Sequence, residues 1–186
     1  MTRTPADVKE FVAGKESVTI RRVGPEFADG LARLSAETFC RAYDSLHSAD
    51  NLAAYCAAVF TPDKLDVLLR DPLIHCEVAF LGDEAVGHVM VAHHDYPLPL
   101  GGPASELKRL YILPHVFGQC VGKALFDRAV AATVARERSH LWLSVADINI
   151  RGRPFYDRLG FLPVARGPTF RVGSDSVTST LMALAL

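Results

Sequence analysis

The sequence predicts an α/β fold, and three observations carry that reading. A short apolar run rich in strand formers, residues 107–113, leads through a loop with Gly118 and Gly122 into an amphipathic helical pattern. A pair of strand-like runs, residues 74–81 and 85–94, flanks the turn Gly82-Asp83-Glu84 and reads as a hairpin. Between a first β-branched run and that hairpin lie three stretches with helical spacing, opened by Gly24-Pro25, Ser48 and Thr61-Pro62. A chain of 186 residues can bury a sizeable core as one domain, residues 1–186, with no internal repeat.

Taken in order, residues 1–16 read as a loosely ordered lead-in. Residues 17–23 (Ser-Val-Thr-Ile-Arg-Arg-Val) form the first strand. Gly24-Pro25 opens a helix carrying Phe27, Leu31, Leu34 and Phe39, up to about Tyr43. Ser48 caps a second helix with Leu52, Tyr55 and Val59. Thr61-Pro62 starts a third with Leu65, Leu68 and Leu69, and Asp71-Pro72 stops it. Gly87, inside the second hairpin strand, marks a bulge or a close backbone approach. Residues 95–105 hold three prolines and two glycines and read as an irregular loop. Pro114 ends the 107–113 strand because it has no N–H for a ladder. In the helix that follows, Val121, Ala124, Leu125, Ala129 and Ala132 share one face, and basic residues occupy its end near Arg138. Residues 140–146 form a strand, 154–159 a short helix ended by Gly160, and 161–164 and 179–186 the closing strands.

Composition excludes several classes. Hydrophobic residues make up 49% and charged residues 22%, as in an ordinary globular protein. A formal net charge of -1 gives no bulk electrostatic case for nucleic acid or an anionic membrane. The polar N-terminus lacks the apolar core of a signal peptide, and no apolar run approaches the ~20 residues of a membrane span. Cys40, Cys56, Cys76 and Cys120 form no Cys-x-x-Cys pair and read as free thiols in a reducing cytoplasm. His93-His94-Asp95 has no further ligand at a suitable spacing, so no metal is expected.

The strand, glycine-bearing loop and helix N-terminus at residues 107–125 present free backbone N–H groups to a phosphate. A Walker A loop is excluded: Gly122-Lys123 is followed by Ala124, and Phe117 stands where that loop needs glycine. A dinucleotide fingerprint needs three spaced glycines, and this loop has two.

The loop Phe117-Gly-Gln-Cys-Val-Gly122 resembles the acetyl-CoA loop of the GNAT family of N-acetyltransferases, Gln/Arg-x-x-Gly-x-Gly/Ala. Phe117 replaces the basic or amide residue and Cys120 replaces a glycine. The stretch Asn149-Ile-Arg-Gly-Arg-Pro-Phe-Tyr-Asp-Arg-Leu-Gly-Phe161 resembles the family's second signature through Asn149, Phe155, Tyr156, Gly160 and Phe161. The likeness runs from about Val18 to the end, and the early helical block looks most like the polyamine-acetylating type. It implies a mixed, mostly antiparallel sheet flanked by helices and splayed at its centre to admit acetyl-CoA as co-substrate. It also implies transfer of acetyl to a primary amine of a small molecule, such as a polyamine. Two alternatives stay open: a catalytically weak CoA-binding module, and acylation of a protein N-terminus or lysine. A homodimer would be in keeping with the family.

The resemblance also assigns roles. Tyr156 takes the position of the general acid that protonates the leaving thiolate; a phenol of pKa about 10 holds its proton at neutral pH. Glu106, eleven residues before Phe117, takes that of a general base, which is useful because an alkyl ammonium has a pKa of about 10.4. The backbone of Leu110, Tyr111 and Ile112 would pair with the pantetheine arm and hold an N–H toward the carbonyl oxygen. Gly118, Gln119, Cys120, Val121, Gly122 and Lys123, with Phe117, would cradle the pyrophosphate, and Asn149 would brace the cofactor or cap the helix after it. Asp44, Asp50 and Asp95 would favour a cationic acceptor. A side chain at Cys120, where backbone should meet phosphate, leads to the expectation that Cys120→Gly tightens acetyl-CoA binding.

Overall fold

The computed structural model describes residues 8–13, 16–94 and 100–186. Its strands are β1 (Val8–Ala13), β2 (Glu16–Arg22), β3 (Ile74–Leu81), β4 (Glu84–Ala92), β5 (Ala104–Ile112), β6 (His140–Ala146), β7 (Leu162–Arg166), β8 (Phe170–Val172), β9 (Asp175–Val177) and β10 (Ser179–Ala185). The helices are α1 (Ala28–Tyr43), α2 (Ala49–Val59), α3 (Pro62–Arg70), α4 (Val121–Val134) and α5 (Gly152–Arg158). Eight strands form one sheet in the order β1-β2-β3-β4-β5-β6-β10-β7, and β8 and β9 pair as a separate hairpin. Within the large sheet only β5 and β6 run parallel. The sheet is therefore mixed and mostly antiparallel.

Local chemistry explains the helix starts. The Ser48 hydroxyl accepts the Asn51 N–H at 3.3 Å, and the Thr61 hydroxyl accepts the Lys64 N–H at 3.4 Å, so α2 and α3 cap themselves. Helix α4 has no side-chain cap, a difference that matters below. Its buried face is the expected one: Val121, Leu125 and Ala129 are fully buried among Val89, Val91, Leu107 and Leu141 of the sheet. Burying a Val or Leu side chain contributes about 1.5–3 kcal/mol, so this face fixes the helix to the strands. On the opposite face Leu31, Leu34 and Leu65 of α1 and α3 pack on Ile74, Val78, Phe80 and Met90. A third cluster joins Phe39, Tyr43, Leu52 and Phe60 to Val172 and Val177 of the small hairpin.

Three expectations are corrected. Residues 8–13 of the lead-in are a strand, paired with β2. Residues 170–177, which carried no assigned element, form the β8–β9 hairpin, held to α2 by Asn51 Oδ1, which accepts from the backbone N–H and hydroxyl of Ser174. The short helix α5 begins at Gly152, ahead of Pro154, because Asn149 Oδ1 accepts the Gly152 N–H at 2.7 Å and sets the turn. Residues 1–7 and most of the 95–105 loop's proline-rich part, residues 95–99, lie outside the described residues; Ala104 and Ser105 already belong to β5.

Two irregularities shape the centre of the sheet. Ala79 faces Gly87 while Phe80 faces Ala85, so Val86 is an extra residue in β4. Gly87 meets both expectations at once, because an added Cβ would lie 2.6 Å from Ile112 Cγ2 and 2.9 Å from the Tyr111 carbonyl oxygen. In β5, Met90 faces Arg109 and Val91 faces Leu107, which leaves Lys108 as a bulge. The bulge shifts the alternation. Leu107, Leu110 and Ile112 all pack toward the α4 core, whereas Tyr111 packs into the aromatic cluster on the other side.

Candidate active site

The parallel pairing of β5 with β6 covers only Ala104–His140, Ser105–Leu141 and Glu106–Trp142. Beyond the Lys108 bulge the two strands part. On its other side β5 is still paired to β4 through Ile112, and β6 to β10 through Ala146. The edges that face each other thus carry unpaired peptide groups from about residue 107 on β5 and 143 on β6. Exposed strand edges of this kind accept an extended ligand as an added strand. A cleft of about 520 Å³ occupies the gap.

Helix α4 closes one end of the cleft. Cys120, at its N-cap, sits in the left-handed region with φ 62° and ψ 2°, and Gly118 has φ 76°. Cys120 thus adopts the conformation a glycine would, and it is exposed. Among the described residues no acceptor meets the backbone N–H groups of Cys120, Val121, Gly122 or Lys123, while Ala124 N–H begins the helix ladder on the Cys120 carbonyl at 2.9 Å. Four open donors at the positive end of a fourteen-residue helix suit an anion.

The sequence-assigned residues fall into two groups. Leu110, Tyr111, Ile112, Phe117, Gly118, Cys120, Val121, Gly122, Lys123, Asn149 and Tyr156 all line the cleft. Gln119 does not: its amide donates back to the His115 carbonyl at 2.9 Å. Glu106 does not either. It precedes the bulge, and its Oε2 lies 3.4 Å from Lys108 Nζ. Lys123 is held by Asp127, one turn on, at 2.5 Å. Asp44 and Asp50 are exposed and absent from the cleft wall, and Asp95 lies outside the described residues.

Tyr156 packs edge-on against Phe155 and Phe161, with ring centroids 5.4 and 5.6 Å away. Burial drives its pKa well above the ordinary phenol value, and the neighbouring Tyr43 adds to the rise. The phenol is therefore protonated at neutral pH. Asn149 Oδ1 accepts the Gly152 N–H at the first residue of α5, in keeping with the helix-start role expected of it, and Nδ2 donates to the Tyr43 hydroxyl at 3.2 Å.

Several cleft residues escaped the sequence reading. Tyr43, at the end of α1, shares the cleft with Tyr156. Arg151 lies over the Phe117 ring at 5.6 Å and, with Arg158, brings charge to the loop that lacks the expected basic residue at 117. Arg109 and Lys108 complete the set. The lining holds five cations and, among the described residues, no Asp, Glu or His. The Lys-Arg pair in β5 was the only signal for the last two, and the bulge decides which way each faces.

These features fit a pyrophosphate on the helix N-terminus and an extended amide-bearing arm between the strands. A profile of the acetyltransferase (GNAT) family matches residues 34–161. The chain belongs to the GNAT family of acetyltransferases. An uncharacterised N-acetyltransferase of Mycobacterium tuberculosis is 27% identical over 155 residues, covering 83% of this chain and 95% of its own. The fold is similar to that of a PaiA N-acetyltransferase from Thermoplasma acidophilum solved with coenzyme A (TM-score 0.76, 18% identity, 91% of this chain and 99% of that one). It is also similar to a GCN5-related N-acetyltransferase from Rhodopseudomonas palustris (TM-score 0.71, 21% identity, 96% and 100%). The protein is thus an acetyl-CoA-dependent N-acetyltransferase of the GNAT family. No described helix is long and apolar enough to cross a membrane, and no group of three or more described His, Cys, Asp or Glu residues could hold a metal ion.

Proposed function

We propose that this GNAT enzyme acetylates a primary amine of a small molecule, by direct attack within a ternary complex, with Tyr156 as general acid. The parting of β5 from β6 beside a protonated Tyr156 carries the reading. Acetyl-CoA supplies the activated acetyl thioester. The open N–H groups of residues 120–123, with Arg151 and Arg158, bind its phosphates, and the free β5 edge at Leu110–Ile112 pairs with its amides. The amine nitrogen bonds to the carbonyl carbon, the C–S bond breaks, and Tyr156 gives its proton to the departing sulfur. A β5 backbone N–H faces the oxygen that gains charge.

The amine must lose two protons over the cycle, one before attack and one after. No carboxylate or imidazole lines the cleft among the described residues, so we assign neither step to Glu106. Lys108 and Arg109 lower the pKa of an ammonium nearby, since like charge disfavours the protonated form; water takes the first proton, and the second, passed through water, restores the Tyr156 hydroxyl.

A polyamine is the acceptor that the resemblance brings to mind, and the cationic wall does not favour it. The homodimer would use the sheet edge β7, where Leu162 and Val164 are exposed, and sedimentation would test it. Calorimetric titration of acetyl-CoA, followed by amines with free thiol as readout, tests the activity. Micromolar binding with thiol release supports transfer; binding without release from any amine refutes it.

A further inference from the structure

We propose that the acceptor carries an oxyanion, with a carboxylate as the leading case, and that Arg109 receives it. The inference rests on the transfer reading above and names the acceptor class of the same site.

Arg109 is a cation with no counter-ion in contact; Glu106 acts on it only from beyond contact distance. Its guanidinium lies 5.0 Å over the Phe60 ring, and none of its N–H groups has a hydrogen-bond or ion-pair partner among the described residues. Nη1 is fully shielded from solvent without any acceptor. Such a charge is costly in a protein interior unless something neutralises it. A buried charge elsewhere in the sheet shows the contrast: Glu77, 1% exposed, is met by Arg128 at 2.5 Å and His75 at 2.6 Å. Burial accordingly lowers the Arg109 pKa.

Its position gives the vacancy a use. Arg109 follows the Lys108 bulge and lines the cleft together with Tyr43, Tyr111 and Tyr156. It also lines a second, shallower hollow of about 510 Å³ at α2 and α3, walled by Ala58, Val59, Val67 and Leu68, with Asp63 and Lys64 of opposite sign. An oxyanion seated against the guanidinium from either side supplies the counter-charge that the protein withholds. The planar fork matches a carboxylate in two-point contact, while an aromatic and aliphatic wall suits an apolar skeleton between acid and amine. In the cleft a polyamine would bring further positive charge to a lining that, among the described residues, holds no Asp or Glu.

The test uses the full chain and matched acceptors: amino acids and ω-amino acids against the same amines without the carboxylate, with phosphoethanolamine as the phosphate arm and spermidine as the polycation. The acid-bearing member of a pair is expected to show kcat/KM about 10- to 100-fold higher, as for a charge-assisted hydrogen bond. Arg109→Gln is expected to erase that preference, mostly through KM, with Arg109→Lys restoring part of it and acetyl-CoA affinity reporting the fold. Binding is read apart from turnover, by titrating N-acetylated acids into the CoA complex. Acid binding that weakens about tenfold or more in Arg109→Gln, with no thiol release from any amine, upholds the oxyanion site and rejects transfer. Transfer to neutral amines or spermidine as efficient as to the acids upholds transfer and overturns the inference. Preference or acid binding unchanged in Arg109→Gln also overturns it.

Discussion

Cys120→Gly separates two effects that the sequence could not. A side chain at a phosphate-loop glycine position reads as an obstruction, so removal should tighten binding. The structure moves the expected effect elsewhere, because the backbone already has φ 62° and the thiol side is exposed. An L-residue in that region costs roughly 1–2 kcal/mol, and a glycine gives back roughly 0.5–1 kcal/mol through its freer unfolded chain. The net gain is about 0.5–1 kcal/mol of stability. At about 2–4 °C per kcal/mol for a chain of this size, thermal unfolding should shift up by about 1–4 °C. Acetyl-CoA affinity, measured by calorimetry, should change by less than about threefold. Cys120→Val is the control: a β-branched residue suits this conformation poorly and should lower stability by about 1 kcal/mol. A lower midpoint in Cys120→Gly would show that no strain resides there. A gain of tenfold or more in affinity would show that the side chain does obstruct the ligand.

Further outcomes are expected. Tyr156→Phe should lower kcat by about 10²–10⁴ with acetyl-CoA binding retained, while Glu106→Gln should stay within about threefold; the reverse order would make Glu106 the acting group. Gly87→Ala should destabilise by about 1–3 kcal/mol in urea unfolding, because the new methyl meets the Tyr111 carbonyl and Ile112. Acid sensitivity should begin early. Burial pushes His88 down to about 3 and His93 down to about 4, against an unfolded value of about 6.5, so below that value the unfolded chain binds more protons. Stability contributed by both neutral imidazoles is complete above about pH 6.5 and is lost as pH falls, by at most roughly 3 kcal/mol per pH unit between roughly pH 6 and 4. Urea midpoints across that range check it, and His88→Leu should halve the slope.

Much of the architecture was legible because it rests on local signals. Ser48 and Thr61 cap the helices that they were expected to cap, and Ile74–Leu81 and His140–Ala146 are strands with the expected bounds. The small β8–β9 hairpin was not legible. Its strands have three residues each, and it is held by distant partners, Asn51 and His47, which no local pattern announces. The same holds for Tyr43, whose place beside Asn149 depends on a contact across 106 positions.

By itself the sequence determined the helices, the strands other than β1, β8 and β9, and the α4 packing face, and it pointed to open N–H groups at the loop-helix junction, since these follow from periodicity, capping and glycine placement along neighbouring residues. Tertiary structure alone decided three things. The bulge at Lys108 chose which face Arg109 and Tyr111 occupy, because one extra residue reverses the alternation of a strand. The parting of β5 and β6 chose which peptide groups stay open. The charge of the cleft emerged from five cations gathered from β5, α4 and the ends of α5, in a protein whose net charge of -1 gives no hint of it: composition averages over the whole surface, whereas a ligand meets only the side chains that folding gathers.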